Sequence, residues 1–302
     1  MMDARNSVRL GFQNVIASRI FVLVGLLVAT LPAAAHPEML IQIEEVTGQI
    51  AADPSNAQLY LKRGDLYRDH GDWPSARADF DRAKALDSGL RLLDFSVGRT
   101  WLESGQPKEA LPFLNRFLGR EPDHAEALIL RGRAHAGLGE PLAAASDFNR
   151  AIEVRLRGGN IPPPEMFLER ARAQTAAGGQ HRQEALAGLQ QGLELLGGPI
   201  TLEIEALTVE LGLDRLDDAL RRVDRLAATA ARPEPWLVRR GEILERAGRL
   251  AESRRSYLAA LDAIAALPPP RRSAGNVPSL ELQARNALQR IPDTNARVGG
   301  AK

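Results

Sequence analysis

The sequence predicts an all-α protein built from stacked helix pairs, and three observations carry that expectation. Aromatic residues make up only 5% of the 302 residues, which is thin for a β-sandwich or barrel whose strands draw on Tyr, Phe, Trp and β-branched side chains. Small residues recur in a fixed lattice, the interval from Gly64 to Gly98 being repeated without change from Gly98 to Gly132. An apolar fraction of 44% beside a charged fraction of 25% is that of a folded protein with a sizeable core. The charge balance narrows function as well. With 39 Lys+Arg against 38 Asp+Glu, the net charge of +1 lacks the basic excess that nucleic-acid binding draws on. The absence of cysteine removes disulfides, thiol catalysis, CxxC zinc sites and the lipid-modified cysteine of a lipoprotein.

Taken in order from the N-terminus, residues 1–35 have the pattern of a secretory signal peptide. Arg5, Arg9 and Arg19 face only Asp3, an uncharged apolar run follows at 20–31, and Ala33 and Ala35 form an A-x-A site. The apolar run is shorter than the roughly 20 residues that span a bilayer, so cleavage before His36 is expected rather than anchoring. Losing one Asp and three Arg leaves the mature chain at −1, with no polybasic cluster for an anionic membrane surface. The expected location is periplasmic, with secretion or signal anchoring as alternatives and membrane contact only through the signal segment. Residues 36–56 hold one amphipathic N-terminal helix ended by the DPSN at 53–56.

The repeats occupy 57–265. Gly64, Gly98 and Gly132 stand at equal intervals, and each is followed seven residues later by Gly71, Gly105 or Gly139. Ala76, Ala110 and Ala144 come next, then the large apolar Phe80, Leu114 and Phe148. Small residues at fixed places permit close helix approach, and the second glycine ends one helix and turns the chain into the next. A fourth unit resumes after the loop RGGNIPPP at 157–164, with Phe167, Ala171 and Gly178, and needs about two extra turn residues before Ala185, Leu189 and Gly192. The fifth unit keeps an apolar face in Leu202, Ala206, Val209, Ala219, Val223 and Leu226 but has no turn glycine, which marks it as the expected weak joint. The sixth recovers the pattern with Leu237, Gly241, Leu244, Gly248, Tyr257 and Ala260, Ser253 replacing the small alanine. A linker at 266–278, a capping helix at 279–290 and a flexible tail at 291–302 complete the chain.

This lattice resembles the tetratricopeptide repeat, with Tyr60, Gly64, Tyr67, Ala76, Phe80 and Ala83 matching in unit one. Unit two offers Gly98, Trp101, Ala110, Leu114 and Pro122, with Asp94 where a bulky residue is expected and Leu93 or Phe95 to fill the gap. Unit three offers Leu128, Gly132, His135, Ala144, Phe148 and Ala151. The resemblance implies a right-handed α-solenoid of about six helix-turn-helix repeats with flanking helices at both ends. It also implies a concave groove lined by the first helix of each unit. Carried over position by position, the expected partner-binding residues are Leu61, Phe95, Ile129 and Leu168 in an apolar row, beside Asp65, Arg99, Arg133 and Arg172, with Arg68 at the edge. The family's chaperone-tail binders hold a terminal carboxylate with a Lys and Asn clamp; here the ninth positions hold no Asn and Gln58 stands at the second position of unit one. Arginine can instead receive carboxylates bidentately while the apolar row provides burial.

Catalytic and metal chemistry find no signature. The five histidines lack the i, i+3 or i, i+4 spacing of helical ligands, and His135 occupies a packing position of unit three. No GxxxxGK[ST], GxGxxG after a strand, HExxH or GxSxG is present. The expectation is therefore a non-enzymatic exported scaffold that binds a peptide segment or protein partner in its groove. No cofactor, metal, nucleic acid or small-molecule substrate is expected. The alternative is an envelope-associated assembly factor that docks through its convex face or tail.

Overall fold

The computed structural model describes residues 37–292, so the expected signal segment and cleavage site lie outside the described residues, as does the tail from 293 onward. The described chain is a right-handed α-solenoid, and no strand occurs among the described residues. A leading helix, α1 (Pro37–Ala52), packs on the first of six helix pairs. The pairs are α2 (Ala57–Asp69) with α3 (Trp73–Leu86), α4 (Leu93–Glu103) with α5 (Pro107–Arg120), and α6 (Ala125–Gly137) with α7 (Pro141–Arg157). Next come α8 (Pro164–Ala176) with α9 (Arg182–Leu196), α10 (Ile200–Gly212) with α11 (Leu216–Thr229), and α12 (Glu234–Arg246) with α13 (Leu250–Ala266). The stretch expected as a linker contains one turn of helix, α14 (Pro269–Arg272), and α15 (Val277–Arg290) closes the far end.

Each pair is set by two devices. The first is close approach. A Cβ on Gly64 would stand 2.5 Å from the Phe80 ring, on Gly132 2.9 Å from Phe148, and on Gly241 2.6 Å from Tyr257. Glycine is thus the residue that lets the aromatic ring lie across the facing helix, and burying each ring contributes about 2–3 kcal/mol. The second is the turn. Gly71, Gly105, Gly139 and Gly248 have φ between 72° and 80°, a left-handed conformation that glycine adopts without strain. Helix starts are capped individually: Asn56 accepts from the Gln58 amide at 3.1 Å, Asp72 from Ser75 at 3.2 Å, and the His124 ring nitrogen from Ala127 at 3.1 Å.

A polar device, invisible to the motif, joins the helices on their outer side. Arg63 of α2 makes two bonds of 2.7 Å to Asp79 of α3 and reaches back to Thr47 of α1 at 3.0 Å. Two repeats later the same strut recurs, with Arg131 bonding Asp147 at 2.8 and 2.6 Å and Asn115 of the preceding α5 at 3.0 Å. In each case one arginine ties its own helix pair to the helix before it. The bidentate geometry holds a carboxylate more strongly than a single contact would.

Unit five closes differently from the sequence expectation. Its helices are both formed, and the turn between them is made by Asp214 at φ 58°, in the place glycine takes elsewhere. One full repeat before Gly241 of unit six stands Leu207, so Leu207 takes the first glycine position. Leu207 shares a buried cluster with Ala219 and Val223, so a large–small pair inverts the glycine–aromatic one. Polarity is inverted too: Arg222 of α11 reaches Glu210 of α10 at 2.7 and 2.9 Å, both side chains buried, and Glu203 also receives it.

At the ends, α15 buries Val277, Leu280, Ala284 and Ala287 against Val238, Tyr257, Ala260 and Ile264. It supplies the cover that an end repeat needs. In unit two Asp94 faces outward to Arg116 and Arg120 at 2.9 and 2.6 Å, and Leu90 and Leu93 fill the core in its stead. His135 is largely packed, its side chain 18% exposed, and its Nδ1 lies 2.6 Å from Glu140 across the turn.

Candidate functional site: the concave groove

The first helices of the pairs, α2, α4, α6, α8, α10 and α12, carry the residues expected to meet a partner. Two of the nine are closed to one. Leu61 is 5% exposed inside the N-terminal core, and Arg68 is 6% exposed, held by Asp65, Asp69 and Glu103 at 3.4, 3.0 and 3.2 Å. The rest of the apolar row is shared between core and groove. Phe95 is half-buried against Phe117 and His124, with ring centres 5.3 and 5.1 Å away, and Ile129 and Leu168 pack on the central core while keeping partial exposure.

The arginines do not stand as free cations. Arg99 bonds Glu103 at 2.7 Å and Glu126 of the next first helix at 3.2 Å; Arg133 bonds Glu169 of the next at 2.8 Å; Arg172 bonds Glu205 of the next at 3.1 Å. The ladder that reads as cationic in sequence is an alternating one, because each arginine lies one helix spacing from a carboxylate that the sequence pattern does not single out. Arg133 and Arg172 remain about half-exposed, so their pairs are solvated and exchangeable rather than locked. Asp65 accepts from Ser96 of α4 at 3.1 Å. Burial pushes its pKa up, against Arg68 and the Ser96 hydroxyl, which pull it down.

Between units three and four the groove deepens into a cavity of about 480 Å³. Its floor is Ala136, Ala173 and Ala176 with Pro141 and Phe148, and its rim is Arg133, Glu169 and Arg172. Small residues on α6 and α8 create the space, and the rim offers donors and one acceptor beside an apolar floor. That combination is the usual lining of a binding site. The alanines are individually silent in sequence, which is why the motif does not reveal the cavity. Ile204, 44% exposed, is likewise absent from the residues the motif nominates. It stands one repeat before Val238 and continues the fifth-position row onto α10 once unit five is counted from Leu207. Among the described residues no group of three or more His, Asp or Glu is placed to hold a metal ion.

Paired helices in right-handed succession, fixed by small residues at a constant period, define a helical-repeat interaction scaffold. Comparison with known proteins agrees. The family model of the tetratricopeptide repeat matches residues 49–90 and 98–161, and over these stretches the chain carries tetratricopeptide repeats. A tetratricopeptide repeat protein from Parabacteroides merdae ATCC 43184 superimposes with a TM-score of 0.50 at 16% identity, over 83% of this chain and 93% of that one. YrrB, a TPR protein with an unusual peptide-binding site, gives a TM-score of 0.52 at 20% identity, over 60% of this chain and 90% of its own. Among curated proteins, protein O-mannosyl-transferase Tmtc3 of Drosophila melanogaster is 29% identical over 100 residues. That stretch is 33% of this chain but only 11% of Tmtc3.

Proposed function

We propose that the protein is a non-enzymatic scaffold that acts after export and holds a segment of a protein partner in its concave groove, centred on units three and four. The observation that carries this reading is the 480 Å³ cavity, where an alanine floor lies beside Arg133, Glu169 and Arg172. An apolar side chain of an extended segment fits the floor, and its neighbouring carboxylate or amide groups meet the rim. Export rests on the basic, apolar and A-x-A succession of residues 1–35. No described helix is long and apolar enough to cross a membrane.

A photo-crosslinking side chain at Ala136 should trap the partner, whereas the same group at exposed Ala259 on α13 should not. Ala136→Trp, which fills the cavity, should reduce capture by about tenfold while the helical signal is unchanged. Equal adduct yield at both positions would remove the groove from consideration. For export, the mass of the mature protein should correspond to a chain beginning at His36; a retained leader would restore the anchored reading.

A further inference from the structure

The outer face of unit two lacks the strut that units one and three share. Where Arg63 and Arg131 stand, unit two has Val97, and where Asp79 and Asp147 stand it has Phe113. The third member of each strut, Thr47 or Asn115, corresponds to Asp81. Val97, Phe113 and Asp81 all line a cavity of about 450 Å³ between α3 and α5. The hollow is therefore the slot that an arginine side chain closes in the neighbouring units.

The slot is neither plain nor neutral. Its apolar wall is Val97, Phe113 and Trp101. Arg77 lies over the Trp101 ring at 4.7 Å, and Arg116 over the Phe113 ring at 4.5 Å. Lys84 and Arg120 stand farther along the same two walls. Against these four cations the lining has Asp81 and Asp94, and Asp94 is already engaged by Arg116 and Arg120 at 2.9 and 2.6 Å. Arg77 makes no ion pair among the described residues. Along α3 the cations Arg77 and Lys84 are about 10 Å apart at the helical rise, and two carboxylate side chains that flank one residue of an extended chain, with Cα atoms about 7 Å apart, can splay to reach both. A surplus of positive charge spread over that length, beside two aromatic rings, suits an extended anionic chain better than a compact anion.

We propose that this convex slot is a second binding site, taking an acidic segment of a protein partner that inserts one aromatic side chain between Trp101 and Phe113. The segment's carboxylates replace water on Arg77 and Lys84. The aromatic side chain occupies the space that arginine fills in units one and three. The site lies on the face opposite the groove and is independent of it.

The test uses the acetylated, amidated tripeptide Glu-Phe-Glu and its Lys-Phe-Lys and Glu-Ala-Glu counterparts, titrated into the purified protein. The readout is the Trp101 indole resonance, assigned by its loss in Trp101→Phe. Glu-Phe-Glu should shift that resonance saturably, with both counterparts at least about tenfold weaker. Val97→Arg with Phe113→Asp, which installs the strut of the neighbouring units, should abolish the shift while the helical signal and melting profile persist. Arg77→Glu, at a residue with no structural ion pair, should weaken binding about tenfold and decides the matter if the double variant fails to fold. Ala136→Trp in the groove should change nothing. The proposal is overturned if Glu-Phe-Glu leaves Trp101 unmoved, if Lys-Phe-Lys binds equally, if a folded strut variant or Arg77→Glu binds as the parent does, or if Ala136→Trp removes the shift.

Discussion

Units one and five solve the same packing problem with opposite materials. In unit one glycine on α2 admits an aromatic ring from α3, a partly buried arginine on the first helix meets an aspartate on the second, and a glycine makes the turn. In unit five Leu207 on the first helix faces the smaller Val223 on the second. The arginine sits on the second helix with its glutamate on the first, both buried, and an aspartate makes the turn. The helix pair forms either way. What these two units share is therefore a filled interface and one charge pair across the two helices, while the identity and even the side of each partner are free.

The sharpest separation should come from breaking the two ion pairs. Glu210→Ala leaves buried Arg222 with Glu203 as its remaining carboxylate, and a cost of about 3 kcal/mol is expected from the lost buried bidentate contact. Asp79→Ala leaves Arg63, whose side chain is 17% exposed, free to rotate toward water, so about 1–2 kcal/mol is expected. Urea unfolding of both variants measures the ratio; equal costs would mean that burial does not distinguish the two closures.

The volume rule is tested by moving one closure into the other. Gly64→Leu alone forces side-chain atoms into the Phe80 ring, and a loss of about 3 kcal/mol is expected. Gly64→Leu with Phe80→Val recreates the large–small order of unit five and should recover more than about 1 kcal/mol of that loss. Additive losses in the double variant would show that glycine is required for the backbone approach itself.

This contrast also explains what is legible in the sequence. The all-α solenoid, its period and its glycine turns can be read because glycine has few substitutes where backbones approach or φ is positive. The Arg63–Asp79 and Arg131–Asp147 struts obey the same period but use common surface residues, and only their recurrence two repeats apart distinguishes them from ordinary surface charge. In unit five the sequence shows an apolar face that includes Ala206 but fixes no register, because no glycine marks whether Ala206 or Leu207 takes the first glycine position. Without that register Ile204 is not nominated. At the candidate site the arginine positions are legible, whereas their partners Glu126, Glu169 and Glu205 are not, because pairing between successive first helices depends on superhelical geometry rather than on spacing along the chain.

The turn residue should give a smaller effect of known sign. Asp214 holds a left-handed conformation and pairs with Arg246 at 2.7 Å, with both side chains largely exposed. Asp214→Gly relieves the backbone but loses the exposed pair and loosens the unfolded chain, so a net gain of about 0.5 kcal/mol is expected. Asp214→Ala loses the pair and keeps the strain, for a loss of about 1 kcal/mol. Thermal unfolding that ranks alanine above glycine would refute the strain.

The smallest effect concerns a pair that belongs to neither closure. Asp65 on α2 accepts from Ser96 on α4, and burial raises its pKa above the ordinary 3.8 despite Arg68 beside it. A carboxyl that holds its proton more tightly when folded contributes stability below the unfolded value, and that contribution is lost as pH rises through the folded value. The parent should therefore lose stability from about pH 4 up to the raised folded pKa, relative to Asp65→Asn, which carries no titrating group there. The substitution should be neutral near pH 3 and mildly stabilising at pH 7, mildly because 35% of the Asp65 side chain still reaches solvent. Chemical unfolding at both pH values reads the difference. A variant less stable than the parent at pH 7 would mean that attraction to Arg68 outweighs burial at this contact, placing the joint between units one and two with the charge-paired closures rather than apart from them.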